Sequence, residues 1–161
     1  MPSFDVVSHV DMQEIKNAID QTQRELEHRY DFRGSKSRIE LEKESITLVA
    51  DDDMKLNAMQ EILNQKMVKR GIGLRSLDYG QSEPSAGAMV KQNVKIKQGI
   101  DTDNARAMVK LIKDQKLKKT QASIQGDQVR ISAPKKDDLQ QAISLLKSEI
   151  KLELQFVNFK D

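Results

Sequence analysis

The apolar residues of this chain repeat. Ile46, Leu48, Ala50, Leu56, Met59, Ile62 and Leu63 recur 83 residues later as Val129, Ile131, Ala133, Leu139, Ala142, Leu145 and Leu146. Phe4, Val6, Ile15, Ala18 and Ile19 recur at a spacing of 90 as Val94, Ile96, Ala105, Met108 and Val109. A one-residue slip would turn every side chain of a strand to the opposite face, so agreement in two blocks argues for a duplicated fold. The 7-residue difference between the spacings places extra residues in the first copy after its first helix, at Tyr30-Asp31-Phe32-Arg33-Gly34-Ser35-Lys36.

Each copy reads as strand, helix, hairpin, helix, strand. Phe4 and Val6 share one face of a short strand, and Asp11-x-x-Glu14 reads as a capping box for a helix running to about His28. Ile39 and Leu41, then Ile46, Leu48 and Ala50, alternate with polar neighbours around Lys43-Glu44, a hairpin. Asp51-Asp52-Asp53 supplies a cap and a negative first turn for the next helix, which Gly71 and Gly73 stop. A weaker strand, Leu74 to Tyr79, closes the copy, and residues 81–87 read as a linker. The second copy repeats the order, with Asp101 or Asp103 as a cap, Gly126-Asp127 as the hairpin turn and Pro134 near a helix start. This is the ferredoxin-like βαββαβ order, so an α+β chain of two four-stranded antiparallel sheets is expected, with both helices on one sheet face. The linker divides it into domains of residues 1–84 and 85–161.

Composition narrows the class. There is no cysteine, which removes disulfides and thiolate chemistry, and no run of about 18 apolar residues to span a membrane. The start lacks the basic and apolar regions of a signal peptide, so a cytoplasmic protein is expected. Residues 1–84 carry 12 Lys and Arg against 16 Asp and Glu, whereas residues 85–161 carry 15 against 9. A basic second half points to an anionic partner, though two surfaces drifting apart in charge would look the same.

Catalysis has little to stand on. His9 and His28 are the only histidines, and no nucleophile–base spacing, metal motif or phosphate-cradling glycine loop is present. No enzyme activity, cofactor or metal is therefore expected. Binding has more support. With Val94 and Ile96 inward, Lys91, Asn93, Lys95 and Lys97 point outward, and the paired strands add Ser123, Gln125, Arg130 and Ser132, with Val157 and Phe159 from the last strand. That face is cationic with Glu153 its one carboxylate, and Lys95, Lys97 and Arg130 are the candidate phosphate contacts. Charged residues also guard any exposed strand against aggregation. Lys110, Lys113, Lys116, Lys118 and Lys119 form a second basic cluster, which equally complements a helix C-terminus. In the extra segment Phe32 and Arg33 are candidates for stacking a base and holding a phosphate, with Tyr30 and Phe32 as plugs of the sheet's end the alternative. The third strands carry no aromatic, so strong sequence-specific RNA readout in the manner of an RNA-recognition motif is not expected.

Several separated blocks, Met1-Pro2-Ser3-Phe4-Asp5, Tyr30-Asp31-Phe32-Arg33, Lys69-Arg70-Gly71-Ile72, Lys97-Gln98-Gly99-Ile100, Ile124-Gln125-Gly126-Asp127 and the terminal Phe156, Asn158, Phe159 and Asp161, resemble the bacterial YajQ family of nucleotide-binding proteins. The resemblance runs the whole length. It implies tandem ribonucleoprotein-like domains in a cytosolic protein with no assigned enzymatic activity, and nucleotides, RNA or cyclic dinucleotides as ligands. It also implies that the halves exchange their first strands, giving residues 11–100 as one domain and 1–10 with 101–161 as the other. Sequence patterning is compatible with either division, because both bury the same faces. The expectation is a monomeric binder of nucleotides or RNA through open sheet faces, with a protein-interaction module as the alternative.

Overall fold

The computed structural model describes residues 1–115 and 119–161. In chain order the elements are β1 (Ser3–Val7), α1 (Met12–His28), β2 (Arg38–Glu42), β3 (Ser45–Ala50), α2 (Asp53–Lys69), β4 (Leu77–Tyr79), β5 (Glu83–Ser85), β6 (Met89–Ile96), α3 (Thr102–Asp114), β7 (Gln121–Gln125), β8 (Gln128–Ser132), α4 (Lys136–Glu149) and β9 (Gln155–Lys160). They form two antiparallel sheets, one ordered β7-β8-β1-β9 and the other β2-β3-β6-β4, with β5 also pairing with β6. Both are the ferredoxin-like strand order, so the α+β duplication is realised.

The chain divides into a terminal unit, Met1–His9 with Gln98–Asp161, and a central unit, Val10–Lys97. This differs from a division at residue 84, because the first strand of each repeat pairs with the hairpin of the other. Strand β1 sets Phe4 opposite Ile131 and Val6 opposite Val129, while β6 sets Val94 opposite Ile46. The pairing therefore equates Val6 with Val94 and Phe4 with Gln92. It revises the 90-residue spacing of the first strands by two residues, a slip that leaves every side chain on its face. The chain passes between units at 9–10 and again at 97–98. Beside the second passage, the Gly99 N–H donates to Ser8 O at 2.6 Å, with Gly99 at φ +80°, a conformation that a Cβ would strain.

In the central unit α1 and α2 lie on one sheet face. The apolar stripe at Ile15, Ala18, Ile19 and Leu26 faces the stripe of α2 at Leu56, Met59, Ile62 and Leu63, and all are buried. Asp11 caps α1 by accepting from the Gln13 and Glu14 N–H groups at 3.0 and 3.3 Å. The box is half formed, since the Glu14 carboxylate accepts from Asn17 instead of reaching back. Among the three aspartates, Asp52 is the cap, accepting from the Lys55 N–H at 2.8 Å, and Asp53 opens the first turn. Gln92, at the position of Phe4 in the other unit, is buried but satisfied: its amide donates to Gly80 O at 2.6 Å and its carbonyl accepts from Gln60. Two expected boundaries move. Residues 74–76 form a 3₁₀ turn before β4, and within the expected linker Glu83–Ser85 adds to the sheet along β6.

The terminal unit places α3 and α4 over its sheet, burying Ala105, Met108, Ile112, Leu139, Ala142 and Leu146 against Phe4, Val6, Val129 and Ile131. Asp101 caps α3 through the Asn104 N–H. Strand β9 breaks register against β1 between Ser3 and Asp5, where Asn158 adopts φ +56°. This bulge inverts the expected alternation. Phe159 lies 5.4 Å from the Phe4 ring, on the helix side, so it is not part of the open face.

Phe4→Ala should destabilise the fold by about 3–5 kcal/mol, read from urea unfolding, because the ring is fully buried. Burial pushes the Tyr79 phenol, whose O–H donates to Asn64 Oδ1 at 2.6 Å, up from 10.0 to about 12. With Tyr79 the sole tyrosine, as in Tyr30→Phe, phenolate absorbance should emerge near that value. The neutral phenol's contribution to stability should be complete below pH 10.0 and lost as pH rises toward about 12.

Candidate functional site

The two sheets turn one face away from their helices, and each carries part of the residue set read from the sequence. Strand exchange splits that set. Lys95 and Lys97 belong to the central unit, Arg130, Ser123, Gln125 and Ser132 to the terminal unit. The cations expected to share one sheet face thus belong to two different sheets. The charge asymmetry also dissolves, since the central unit carries 15 Lys and Arg against 15 Asp and Glu, and the terminal unit 12 against 10.

On the central sheet, β6 presents Lys91, Asn93 and Lys95 in alternation. Register places Ser45 and Asp78 on either side of Lys95, Thr47 beside Asn93, and Val49 and Glu83 on either side of Lys91. The Thr47 hydroxyl donates to Asn93 Oδ1 at 3.1 Å. Asp78 and Glu83, and one strand further out Glu40 and Glu42 of β2, are the carboxylates that the expectation of a nearly acid-free face omitted, because they come from strands that sequence alone did not place in one sheet with β6. Even so, no described carboxylate lies within ion-pairing distance of Lys91 or Lys95. Glu42, Lys43, Glu44, Ser45 and Lys95 line a shallow depression of about 900 Å³ at the hairpin end of this face. Lys97 lies one residue past the strand, half-buried, with its N–H donating to Ser76 O at 2.7 Å.

On the terminal sheet Arg130 is already engaged. Its Nε donates to Asp5 Oδ1 at 2.9 Å and Nη2 reaches Oδ2 at 3.5 Å, while Asn158 Nδ2 donates to Asp5 Oδ2 at 2.9 Å. Asp5 is 4% exposed, and the Arg130 and Asn158 hydrogen bonds hold its carboxyl below the usual carboxylate range. The Nε and Nη2 edge of Arg130 is thereby occupied by Asp5, which leaves the Nη1 side of its guanidinium as the part open to an anion. Asp5 was the residue missed by sequence reasoning. Its signal was a carboxylate alternating with Phe4 and Val6 on a strand that could exchange.

The extra segment is an ordered loop in the central unit. Residues 30–32 form a 3₁₀ turn, closed by the Arg33 N–H donating to Tyr30 O at 3.1 Å. Phe32 points inward and is 5% exposed, with Lys55 Nζ 5.8 Å and the Arg29 guanidinium 6.0 Å from its ring centre. Phe32 therefore plugs the core and cannot stack a base. Asp51 fastens the loop: it accepts from the Ser35 hydroxyl at 2.5 Å, the Lys36 N–H at 3.4 Å and Lys55 Nζ at 3.3 Å. These donors hold its carboxyl below the ordinary range. Arg33 and Lys36 are exposed, as is Tyr30 at 85%. Of the second lysine cluster, Lys110, Lys113 and Lys119 are exposed, while Lys116 and Lys118 lie outside the described residues.

Among the described residues, no group of three His, Cys, Asp or Glu side chains converges as a metal site, and no helix is long and apolar enough to cross a membrane. Twin ferredoxin-like units with exchanged first strands, the central one bearing on its open face two lysines with no ion-pair partner among the described residues, define the class. The family described as "Nucleotide-binding protein YajQ-like" matches residues 2–160, and the chain belongs to that family. It is 54% identical over its whole length to a nucleotide-binding protein of Magnetococcus marinus, covering all of that relative. It is likewise 54% identical to one of Heliobacterium modesticaldum, over 98% of this chain and 96% of the other, and 51% to one of Desulfitobacterium hafniense, over 98% and 97%.

The Asp5–Arg130 pair gives a pH prediction. A carboxylate held below its ordinary value contributes stability that is present above that value and is lost as pH falls through the folded-state one. Arg130→Met should remove the largest cause of the depression, so acid unfolding should begin at higher pH than in the wild type.

Proposed function

We propose that this chain is a non-catalytic nucleotide- or RNA-binding protein of the cytoplasm, with the open face of its central sheet as the main phosphate-contacting surface. The observation that carries this reading is the row Lys91, Asn93 and Lys95, whose ammonium groups have no described carboxylate within ion-pairing distance. An unpaired lysine on a rigid strand meets a phosphate without first breaking an ion pair, and it releases condensed counterions when it does. Ser45, Thr47 and Asn93 supply neutral donors and acceptors at adjacent register positions. The relatives' names, all nucleotide-binding proteins, support the same ligand class. A cyclic dinucleotide falls within that chemistry, since it offers phosphates and bases together. Arg130 plays no part in this reading, and Lys97 is a peripheral contact at the strand's end.

One observation favours a protein partner instead. Edge strand β7, Gln121 to Gln125, carries no charge and exposes 43% of Ile124, which is the composition of an edge open to strand pairing.

Titration of RNA, GTP and a cyclic dinucleotide at several salt concentrations separates these readings. Salt-dependent binding is expected for at least one of the three. The double variant Lys91→Ala/Lys95→Ala should weaken it and reduce the log–log salt slope by roughly 1.4 to 1.8, two phosphate contacts' worth. Binding that is absent, or indifferent to salt and to the two lysines, would refute the phosphate-contact reading.

A further inference from the structure

We propose that Tyr30 and Arg33 form a stacking platform for one unpaired nucleobase and its adjoining phosphate. This deepens the nucleotide- or RNA-binding reading and rests on it, but it adds a site on a different element from the Lys91–Lys95 row.

Tyrosine is an amphipathic side chain that folding normally uses for packing or a hydrogen bond. Tyr30 does neither: it is 85% exposed, and no ring or cation is placed over it among the described residues. Such exposure at a floppy tip would mean little. Here the backbone beneath it is pinned from both sides. On one side Phe32 is driven into the core under the cations of Arg29 and Lys55. On the other, Ser35 and Lys36 donate to Asp51. A ring held out on a fixed base loses little conformational freedom when a ligand lands on it.

The turn geometry supplies the phosphate group's partner. In a 3₁₀ turn, positions i and i+3 lie one above the other, and the Arg33 N–H to Tyr30 O hydrogen bond of 3.1 Å closes that turn. Arg33 thus leaves the loop one turn above Tyr30, is exposed, and has no carboxylate partner among the described residues. The neighbouring acid, Asp31, is neutralised by Arg29, whose guanidinium donates to it at 2.9 and 3.0 Å. Gly34 follows at φ +72°, and a Cβ built there would meet nothing within 4 Å, so the crest of the loop is open to a ligand's backbone. Lys36 adds a second exposed cation just beyond. A sequence-tolerant contact of this kind combines a ring for the base with a cation for the backbone. A free mononucleotide and a single strand present the same chemistry, and the strand adds flanking phosphates for Lys36.

The test uses the full chain with Tyr79→Phe, which leaves Tyr30 the sole tyrosine of a protein without tryptophan. Titration with a short oligoadenylate should quench its emission saturably, and AMP should do so only at higher concentration if the strand is the preferred source. In the otherwise wild-type chain, followed with a labelled oligoadenylate, Tyr30→Ala should weaken binding by roughly 5- to 100-fold, while Tyr30→Phe should stay near wild type, because stacking needs the ring and not the hydroxyl. Arg33→Ala should lower the log–log salt slope by about 0.7. Circular dichroism should be unchanged in all three, since both side chains are exposed. Equal binding by Tyr30→Ala and wild type would overturn the platform. If Lys91→Ala/Lys95→Ala abolished binding in that case, the sheet-face reading would stand alone. No oligoadenylate binding by the wild type would overturn the platform, and the sheet-face reading would fall with it only if GTP and the cyclic dinucleotide also failed to bind.

Discussion

The pairing of each repeat's first strand with the other repeat's hairpin is the contact on which the molecule's arrangement depends. Strand β1 lies between β8 and β9, and β6 lies between β3 and β4, so both are inner strands of their sheets. Inner strands carry hydrogen bonds on both edges and a fully buried row of side chains on one face. Phe4 and Val6 close a core otherwise built from residues 100–152, while Val94 and Ile96 close one built from residues 10–77. Each half of the sequence is therefore incomplete as a folding unit, and the natural division is not at the Pro84 segment. That segment is itself drawn into the central sheet along β6.

Exchange also decides the electrostatics. A strand that is basic on its outward face leaves the cation-rich half of the sequence and enters the acid-rich half, which brings the central unit to equal numbers of cations and acids. In return the terminal sheet receives Asp5, which meets Arg130 at the directly opposite register position. Two cations that look equivalent in sequence then have different chemistry. Lys95 remains an exposed ammonium on a strand, whereas Arg130 is bound by a carboxylate that is nearly out of water.

Much of the fold was legible because burial imposes a period. The stripes of α1 and α2, the hairpins at Lys43-Glu44 and Gly126-Asp127, and the caps at Asp11 and Asp101 all follow from local spacing and turn chemistry. Misread positions share one cause, a non-local contact. Phe159 was assigned outward by counting in twos, and the Asn158 bulge turned it inward. Phe32 suits either plug or platform by sequence, and the core takes it. The loop's exposed aromatic is the neighbouring Tyr30, a distinction that depends on the direction of one 3₁₀ turn. Asp51, read with its two neighbours as helix capping, instead holds that loop in place from sixteen residues away.

What the sequence by itself determined was the buried frame: two copies of one strand, helix, hairpin, helix and strand pattern, with the apolar faces matched between them. Hydrophobic periodicity is a local property, and it suffices to state which face of each element is buried. Which strand fills the middle of which sheet was decided only in three dimensions, because Phe4–Val6 and Val94–Ile96 present the same apolar face to either core. With that choice went the sheet to which each outward charge belongs, and so the assignment of Lys95 and Arg130 to different sheets.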